Sequence, residues 1–246
     1  QRELQGRFAV EGLQLLHMAL DAGAQPLELF YCPALFAGAE APALLARMQA
    51  LGVAATPVAE AVMRALSDRT DPQGLVATFP LLWRSPAALP LAAHALVVVV
   101  DRLNDPGNLG TLLRTAAASG ADGLILTPGT TDAFAPKVVR AAMGANFRLP
   151  IQIWDWPQIH QACQTNPIGA AQLLIADSAG GTSCWETNLK RPTALVIGGE
   201  AEGAQPAAFQ GQAARIHIPM PGQSESLNAA IAAGILIFEV VRQRKA

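Results

Sequence analysis

Strand-like and helix-like stretches alternate along the chain, and this alternation constrains the fold more than any other feature. The continuous apolar run Ala95–Val100 is typical of a strand that is buried on both faces of a parallel sheet. An amphipathic stretch with helical periodicity, Leu109–Ser119, follows it. Repeated strand–helix units predict an α/β layer fold with a mainly parallel sheet.

Periodicity and turn residues also place the individual elements. We expect helices at Phe8–Ala22, Glu40–Leu51, Glu60–Leu66, Leu109–Ser119 and Pro136–Met143, and a last helix that begins near Ser226. We expect strands at Leu27–Tyr31, Val53–Thr56, Gly74–Phe79, Ala95–Val100, Gly123–Leu126, Leu149–Ile153, Gln172–Ala176, Thr193–Ile197 and Arg215–Ile218. The proline-containing stretch Pro80–Pro90 predicts a linker, so we divide the chain into a domain at 1–80, a linker at 81–94 and a second domain at 95–246.

Composition excludes several classes of protein. Hydrophobic residues make up 51% of the chain and charged residues 15%, which is a globular composition and not a disordered one. The longest apolar runs are far shorter than the roughly 20 residues that a membrane span needs, so we expect no membrane segment. Three cysteines without close spacing and four scattered histidines give no metal-ligand pattern. We therefore expect reduced thiols, a cytoplasmic location and no metal.

The net charge of −2 weighs against a nucleic-acid binder, because such proteins are expected to carry a basic surface. Local clusters reduce this objection. Lys137, Arg140 and Arg148 form a short segment without an acid, and the chain ends in a second basic cluster. An ordinary solvated face is the simpler explanation of either cluster taken alone.

Three segments follow predicted strands at the edge of a parallel sheet where ligands bind. The first, at 101–114, contains the turn residues Asp105-Pro106-Gly107, and Asn108 is placed to cap the next helix. Arg114 lies beside the apolar face of this helix, and small residues on the other face indicate close packing against another surface. An arginine there is suited to grip phosphate with its planar fork, and a snorkelling surface arginine is the alternative.

The second segment, at 193–203, is a buried strand that runs into Gly198 and Gly199, where a backbone can approach a ligand closely. Glu200 follows at once. A glycine turn beside a surface acid is the simpler explanation of this segment alone. No G-x-G-x-x-G pattern follows a predicted strand, and there is no P-loop, which disfavours a nicotinamide or flavin cofactor.

The third segment, at 216–239, contains a helix that is apolar nearly all round. In a soluble protein with so many small residues, this pattern favours packing across a subunit interface. Ser226 and Asn228 stand at the start of the helix, where capping is the alternative to a role in a site.

Together, the three segments resemble the signature motifs of the SpoU/TrmH methyltransferases of the SPOUT class. The first is similar to D-P-x-N-x-G-x-x-x-R, the second to a strand leading to G-x-E, and the third to I-P-M-x-G…S-L-N with a small-residue helix and a glutamate. The matching residues are Asp105, Pro106, Asn108, Gly110, Arg114, Gly198, Glu200, Ile218, Pro219, Met220, Gly222, Ser226, Leu227, Asn228 and Glu239. Residues 136–150 resemble a further family segment, and residues 7–12 and 71–75 resemble the L30e-like substrate-binding domain of many members.

The resemblance implies a trefoil-knotted SPOUT domain, an L30e-like RNA-binding domain and a homodimer whose active site uses both subunits. It also implies transfer of a methyl group from S-adenosylmethionine to a ribose 2′-hydroxyl of RNA. The implied cofactor-binding residues are Gly198, Gly199, Ile218, Met220 and Leu227. The implied catalytic residues are Arg114, Asn108, Glu200, Ser226 and Asn228, and the implied RNA contacts are Arg114, Lys137 and Arg140.

Several alternatives stay open. The L30e-like domain favours ribosomal RNA, but a transfer-RNA methyltransferase is the alternative target class. A non-catalytic RNA-binding relative of the same fold and an unrelated α/β enzyme with a nucleotide cofactor are the alternative functions. The first domain could also bind a small metabolite.

Overall fold

The computed structural model describes residues 2–81, 95–165, 171–178, 180–200, 202–222 and 225–245. Its helices are α1 (Arg2–Gln5), α2 (Leu13–Asp21), α3 (Glu40–Ala50), α4 (Glu60–Leu66), α5 (Pro106–Ser119), α6 (Pro136–Ala142), α7 (Trp156–Gln164) and α8 (Ala229–Lys245). Its strands are β1 (Arg7–Glu11), β2 (Glu28–Tyr31), β3 (Ala54–Pro57), β4 (Leu75–Pro80), β5 (Leu96–Asp101), β6 (Gly123–Leu126), β7 (Ile151–Ile153), β8 (Gln172–Ala176), β9 (Thr182–Ser183), β10 (Thr193–Gly198) and β11 (Ala214–His217). The predicted linker at 81–94 lies, except for Leu81, outside the described residues.

The chain divides into two compact units. The first unit comprises residues 1–82 and Phe134–Arg148, and the second comprises residues 83–133 and 149–246. The first unit contains a mixed sheet of four strands in the order β1-β4-β2-β3, in which only the β2–β3 pair is parallel. The chain therefore passes from the second unit back into the first for residues Phe134–Arg148 and then returns to the second. No single boundary in the sequence separates the two units.

Four phenylalanines explain why this segment belongs to the first unit. Phe8 of β1 lies 4.8 Å from Phe134 and 5.6 Å from Phe147, measured between ring centroids, and Phe79 of β4 lies 5.0 Å from Phe147. All four side chains are buried. Aromatic pairs of this kind contribute about 0.5–1.5 kcal/mol each beyond their area burial, so the segment is part of the core of the first unit.

The first predicted helix begins later than expected, because a strand occupies its first residues. The expected helix Phe8–Ala22 is instead strand β1 followed by helix α2. Phe8 and Val10 are buried on one face of the strand, which pairs antiparallel with β4. Gly12 then adopts φ 98°, a conformation that an L-residue avoids, and separates the strand from the helix. Pairing with a distant strand overrode a local helical pattern.

The second unit contains seven parallel strands in the order β7-β6-β5-β10-β8-β11-β9. Every residue of β5 is buried, as expected for a central strand that is covered on both faces. Helices α5 and α8 pack against each other. The predicted α/β class with a mainly parallel sheet is confirmed, and the carboxyl ends of β5, β10 and β11 bring the three predicted segments to one edge of the sheet.

Candidate active site

A cavity of about 690 Å³ opens at the carboxyl edge of the parallel sheet. Residues after β8, β10 and β11 and the first turns of α8 form its walls. All five residues predicted to bind the cofactor line it, namely Gly198, Gly199, Ile218, Met220 and Leu227. The volume is within the range of about 300–1,000 Å³ that small-molecule sites usually have.

Three of the predicted catalytic residues, Glu200, Ser226 and Asn228, also line this cavity. Asn108 joins them through hydrogen bonds. Its Nδ2 donates to Glu200 Oε1 at 2.8 Å, and Asn228 Nδ2 donates to Asn108 Oδ1 at 3.0 Å. These two bonds connect all three motif segments, which are far apart in the sequence, into one polar network.

The N-terminal caps of α5 and α8 determine whether the side-chain amides of Asn108 and Asn228 can take part in this network. Asp105, and not Asn108 as expected, caps α5, because its Oδ1 accepts a hydrogen bond of 2.7 Å from the Asn108 backbone N–H. Asn108 therefore lies inside the first turn, and its side chain can bind Glu200. Asn228 both binds Asn108 and caps α8, since its Oδ1 accepts hydrogen bonds from the Ala230 and Ile231 backbone N–H groups at the start of that helix.

Arg114 does not line the cavity of its own chain. It lies on α5, and its side chain is exposed. The guanidinium has no hydrogen bond or ion pair with the residues that the structure describes. A role for Arg114 at a cavity of this kind therefore requires a ligand or a second subunit to reach it.

The two remaining predicted RNA contacts lie in the first unit. Lys137 is exposed on α6. Arg140 is engaged within the protein, because its Nη1 donates to Glu11 Oε1 at 3.2 Å and lies 3.5 Å from Asp68 Oδ2. Glu11 also accepts a hydrogen bond from the Ser67 hydroxyl. The charge of Arg140 is thus used to hold Phe134–Arg148 against β1.

Sequence reasoning missed Asp101, the last residue of β5. Its carboxylate is fully buried and accepts three hydrogen bonds of 2.6 Å, from the Gln205 backbone N–H, the Gln205 side-chain amide and the Thr127 hydroxyl. Gln205 ends the loop that carries Glu200, so Asp101 fixes this loop to the central strand. The available signal was a single acid at the end of an otherwise apolar strand.

Only glycine fits at the two positions before Glu200. A Cβ on Gly198 would overlap the backbone of Gly203 and Ala204, and a Cβ on Gly199 would lie 2.8 Å from the Arg102 carbonyl oxygen. The Gly203 N–H also donates to the Gly199 carbonyl at 3.1 Å, so the loop folds back on itself. The glycines keep the backbone accessible at the cavity wall.

Arg102, the next residue after Asp101, has a left-handed backbone with φ 55°. The hydroxyls of Thr130 and Thr127 accept from its backbone N–H at 2.9 Å and 3.3 Å. This conformation costs an L-residue about 1–2 kcal/mol. The Arg102 guanidinium forms an ion pair with Glu202, which is 4.0 Å away and 86% exposed, and surface pairs of this kind contribute about 0–1 kcal/mol. The ion pair alone does not offset the strain.

The cavity wall favours a ligand that carries positive charge and hydrogen-bonding groups. Among the described lining residues are the acids Asp177, Glu200, Glu202 and Glu225, and no lysine or arginine. Arg215, outside the lining, pairs with Asp177 at 3.1 Å, so the other three acids give the wall its negative charge. His217 also lines the cavity, and its Nδ1 is buried without a hydrogen-bond partner among the described residues. A buried polar atom without a partner is unfavourable, and a ligand can satisfy it.

Glu239, the last residue of the third motif, stabilises the position of helix α8. Its carboxylate accepts from Arg242 at 2.8 Å through two nitrogens and from Gln243 Nε2 at 2.8 Å. The Arg242 hydrogen bond is the main reason why the pKa of Glu239 lies below its usual value. Gln243 also donates to the Thr187 carbonyl at 3.1 Å, so this cluster holds α8 against the segment before β10.

None of the helices in the described part of the chain combines the length and the hydrophobicity that crossing a bilayer requires. Within the same residues, no group of three or more His, Cys, Asp or Glu side chains is arranged to hold a metal ion.

Comparison with known proteins assigns the chain to a family. Residues 95–238 match the SpoU rRNA Methylase family, and residues 1–77 match the MRM3-like substrate binding domain. The chain therefore belongs to the SpoU rRNA methylase family and has a substrate-binding domain in front of the methylase domain. This confirms the family that the three motifs indicated.

Individual relatives match nearly the whole chain. An uncharacterised tRNA/rRNA methyltransferase of Synechocystis is 34% identical over 99% of this chain and 86% of its own length. The 23S rRNA (uridine(2479)-2′-O)-methyltransferase of Streptomyces viridochromogenes is 30% identical over 99% of this chain and 85% of its own. The crystal structure of an AdoMet-bound rRNA methyltransferase from Sinorhizobium meliloti has a TM-score of 0.85 and 33% identity, and covers 98% of this chain and 89% of that one.

Proposed function

We propose that this chain transfers the methyl group of S-adenosylmethionine to a ribose 2′-hydroxyl of ribosomal RNA. The observation that carries the proposal is the cavity at which Asn108, Glu200 and Asn228 bind one another, in a chain of the SpoU family. The Sinorhizobium structure contains AdoMet, and the Streptomyces relative is named for 2′-O-methylation of 23S rRNA. Both matches support the proposed cofactor and reaction.

The cavity residues fit this cofactor. When bound, S-adenosylmethionine supplies a methyl carbon that its sulfonium makes electrophilic. The backbone of Gly198 and Gly199, together with Ile218, Met220 and Leu227, would hold the cofactor. The acidic wall favours its positive charge, and the unpartnered His217 Nδ1 offers a hydrogen-bonding group. Holding both reactants in line supplies much of the rate enhancement in such a transfer.

Arg114 is the residue that we assign to the reacting ribose. Its planar guanidinium would anchor the adjacent phosphate and stabilise negative charge that develops on the 2′-oxygen. Removal of the hydroxyl proton by Arg114 itself is the alternative. Asn108, Glu200, Ser226 and Asn228 would order the loops and the acceptor ribose.

A homodimer explains how Arg114 reaches a cavity. Helix α8 exposes Ile231, Ile235 and Phe238, at 57%, 40% and 49%, and the spacing of four and three residues puts them on one stripe. Helix α5, which carries Arg114, packs against α8. We propose that a second copy of the chain covers the stripe and that Arg114 of each subunit acts at the cavity of the other. The trefoil knot stays a prediction.

Ribosomal RNA is the favoured substrate, because the substrate-binding domain at 1–77 and the Streptomyces relative both point to it. Transfer RNA is the alternative. A cytoplasmic location is proposed on the three cysteines, none of which forms a disulfide.

Labelled methyl transfer tests the function. The protein is incubated with methyl-labelled S-adenosylmethionine and either ribosomal or transfer RNA, and the labelled nucleotide is mapped by its resistance to alkaline cleavage. We expect label at a 2′-oxygen of ribosomal RNA. Cofactor and RNA binding without transfer would instead support the non-catalytic alternative.

Mixed dimers test the shared site. Arg114→Ala and Asn228→Ala are each expected to be nearly inactive. If Arg114 acts across the interface, co-refolding the two variants creates one intact site in half of the dimers and restores about a quarter of the wild-type activity. If Arg114 acts within its own chain, mixing restores nothing.

A further inference from the structure

We propose that Arg102 binds an RNA phosphate at the rim of the cavity, as a second phosphate contact besides Arg114. The inference rests on the proposed function, because it needs an RNA substrate at this edge of the sheet.

Among the described residues, Arg102 and Met143 are the non-glycine residues with positive φ, at 55° and 48°. Met143 ends helix α6, a position at which a left-handed residue is common, and its side chain is partly buried. Arg102 ends no helix, and its side chain is 53% exposed. Glycine would adopt the same turn without strain, so an arginine at this position indicates a task for the side chain.

The contacts of Arg102 place its guanidinium between two loops at the carboxyl edge. A Cβ on Gly129, in the loop after β6, would lie 3.5 Å from Arg102 Nε. On the other side, Arg102 Nη1 lies 4.0 Å from Glu202, which lines the cavity. The Arg102 carbonyl oxygen faces Gly199, the residue before Glu200. The side chain thus stands beside the loop that carries the network residue Glu200.

The chemistry of this position suits a phosphate. The pair with Glu202 is long and solvent-exposed, so water screens it and the guanidinium keeps donors for a ligand. A planar guanidinium matches two oxygens of a phosphodiester at once, which a lysine does not. An acceptor ribose is joined to a phosphate on each side, and two arginines can therefore hold both.

Because the strained backbone of Arg102 suits glycine, substitution by glycine removes the side chain without disturbing the turn. Arg102→Gly removes the side chain and relieves the turn, so the thermal midpoint should be equal to or above that of the wild type. Affinity for S-adenosylmethionine, measured by calorimetry, should stay within about twofold. Affinity for ribosomal RNA should fall by about tenfold, and the slope of log affinity against log salt should become shallower by about 1. Arg102→Lys keeps the charge and should recover part of this loss.

Arg191→Ala is the matched control. Arg191 is also exposed and belongs to the same unit, but it precedes β10 and therefore lies at the opposite end of that strand from the cavity. It should leave RNA affinity unchanged. Wild-type RNA affinity in Arg102→Gly, or an equal loss in both variants, would overturn the proposal. If the wild-type protein neither binds nor methylates ribosomal RNA, the proposed function fails first and this inference fails with it.

Discussion

Carboxylates in the first unit and at the cavity edge of the second unit have different hydrogen-bond partners. In the first unit, four arginines form ion pairs with carboxylates, namely Arg7–Glu28, Arg47–Asp21, Arg64–Glu60 and Arg140–Glu11. At the cavity edge of the second unit, Asp177 pairs with Arg215, but the carboxylates of Asp101 and Glu200 are held by amides and a hydroxyl. This leaves Arg114 without an internal partner among the described residues. Positioning by uncharged donors keeps cations available for an anionic substrate.

The difference also separates two kinds of stabilisation. Exposed ion pairs contribute about 0–1 kcal/mol each, so the pairs of the first unit matter mainly where burial strengthens them, as at Arg140 and Glu11. The hydrogen bonds of the second unit connect segments 92 and 120 residues apart in the sequence. Their main contribution is to fix the relative positions of the loops around the cavity.

Removal of Arg114 should have the strongest effect on activity. Arg114→Ala should lower the rate of methyl transfer by about 10²–10³-fold, because it removes charge stabilisation at the reacting oxygen. The fold and the affinity for S-adenosylmethionine should be unchanged, as measured by circular dichroism and calorimetry. Arg64→Ala, which removes an arginine of the first unit that already pairs with Glu60, is the control and should keep full activity. Near-normal transfer by Arg114→Ala would remove this residue from the mechanism.

A substitution at Asp101 should have a smaller effect, on cofactor affinity, and it tests whether Asp101 positions the loop that carries Glu200. Asp101→Asn should weaken binding of S-adenosylmethionine by about tenfold, which corresponds to about 1.4 kcal/mol. Asp122→Asn is the control, because Asp122 accepts a hydrogen bond of 2.8 Å from the Leu96 N–H at the other end of β5. It should lower the melting temperature without changing cofactor affinity.

A second substitution separates positioning by Asp101 from simple stability. In Asp101→Asn with Gln205→Glu, the donor and acceptor of the side-chain pair are exchanged, so cofactor affinity should recover in part. Equal cofactor affinity in Asp101→Asn and the wild type would show that Asp101 stabilises the fold only.

Smaller effects on stability and RNA affinity should distinguish the two predicted RNA contacts of the first unit, Arg140 and Lys137. Arg140→Met should lower the free energy of unfolding by about 1–3 kcal/mol, because it leaves the mostly buried Glu11 without its cation. Lys137→Met should leave stability unchanged and weaken RNA binding a few-fold, with a smaller salt dependence. Denaturant titration and RNA filter binding measure the two quantities. A larger loss of RNA affinity in Arg140→Met than in Lys137→Met, at equal stability, would reverse this assignment.

Local patterns were sufficient for most elements. Helix Glu60–Leu66 and strands Gly123–Leu126 and Gln172–Ala176 have the predicted bounds. Helix α7 was missed although its signal is local, since Asp155 and Gln158 form a capping box around Pro157 at its start. The strand β9 has only two residues, too few for a periodic pattern. Thus most errors concern short elements and those whose partners are distant.

Neighbouring residues alone were enough to predict the α/β class, the family and eight of the residues that line the cavity, because strand and helix periods and short motifs are local. Three features could be seen only in the folded protein: Phe134–Arg148 completes the core of the first unit, Asn108 binds Glu200 instead of capping α5, and Arg102 takes a left-handed turn. Each of these depends on partners that are distant in the chain or on the competition between several nearby groups. Such contacts form only when the whole chain packs, and no local period records them.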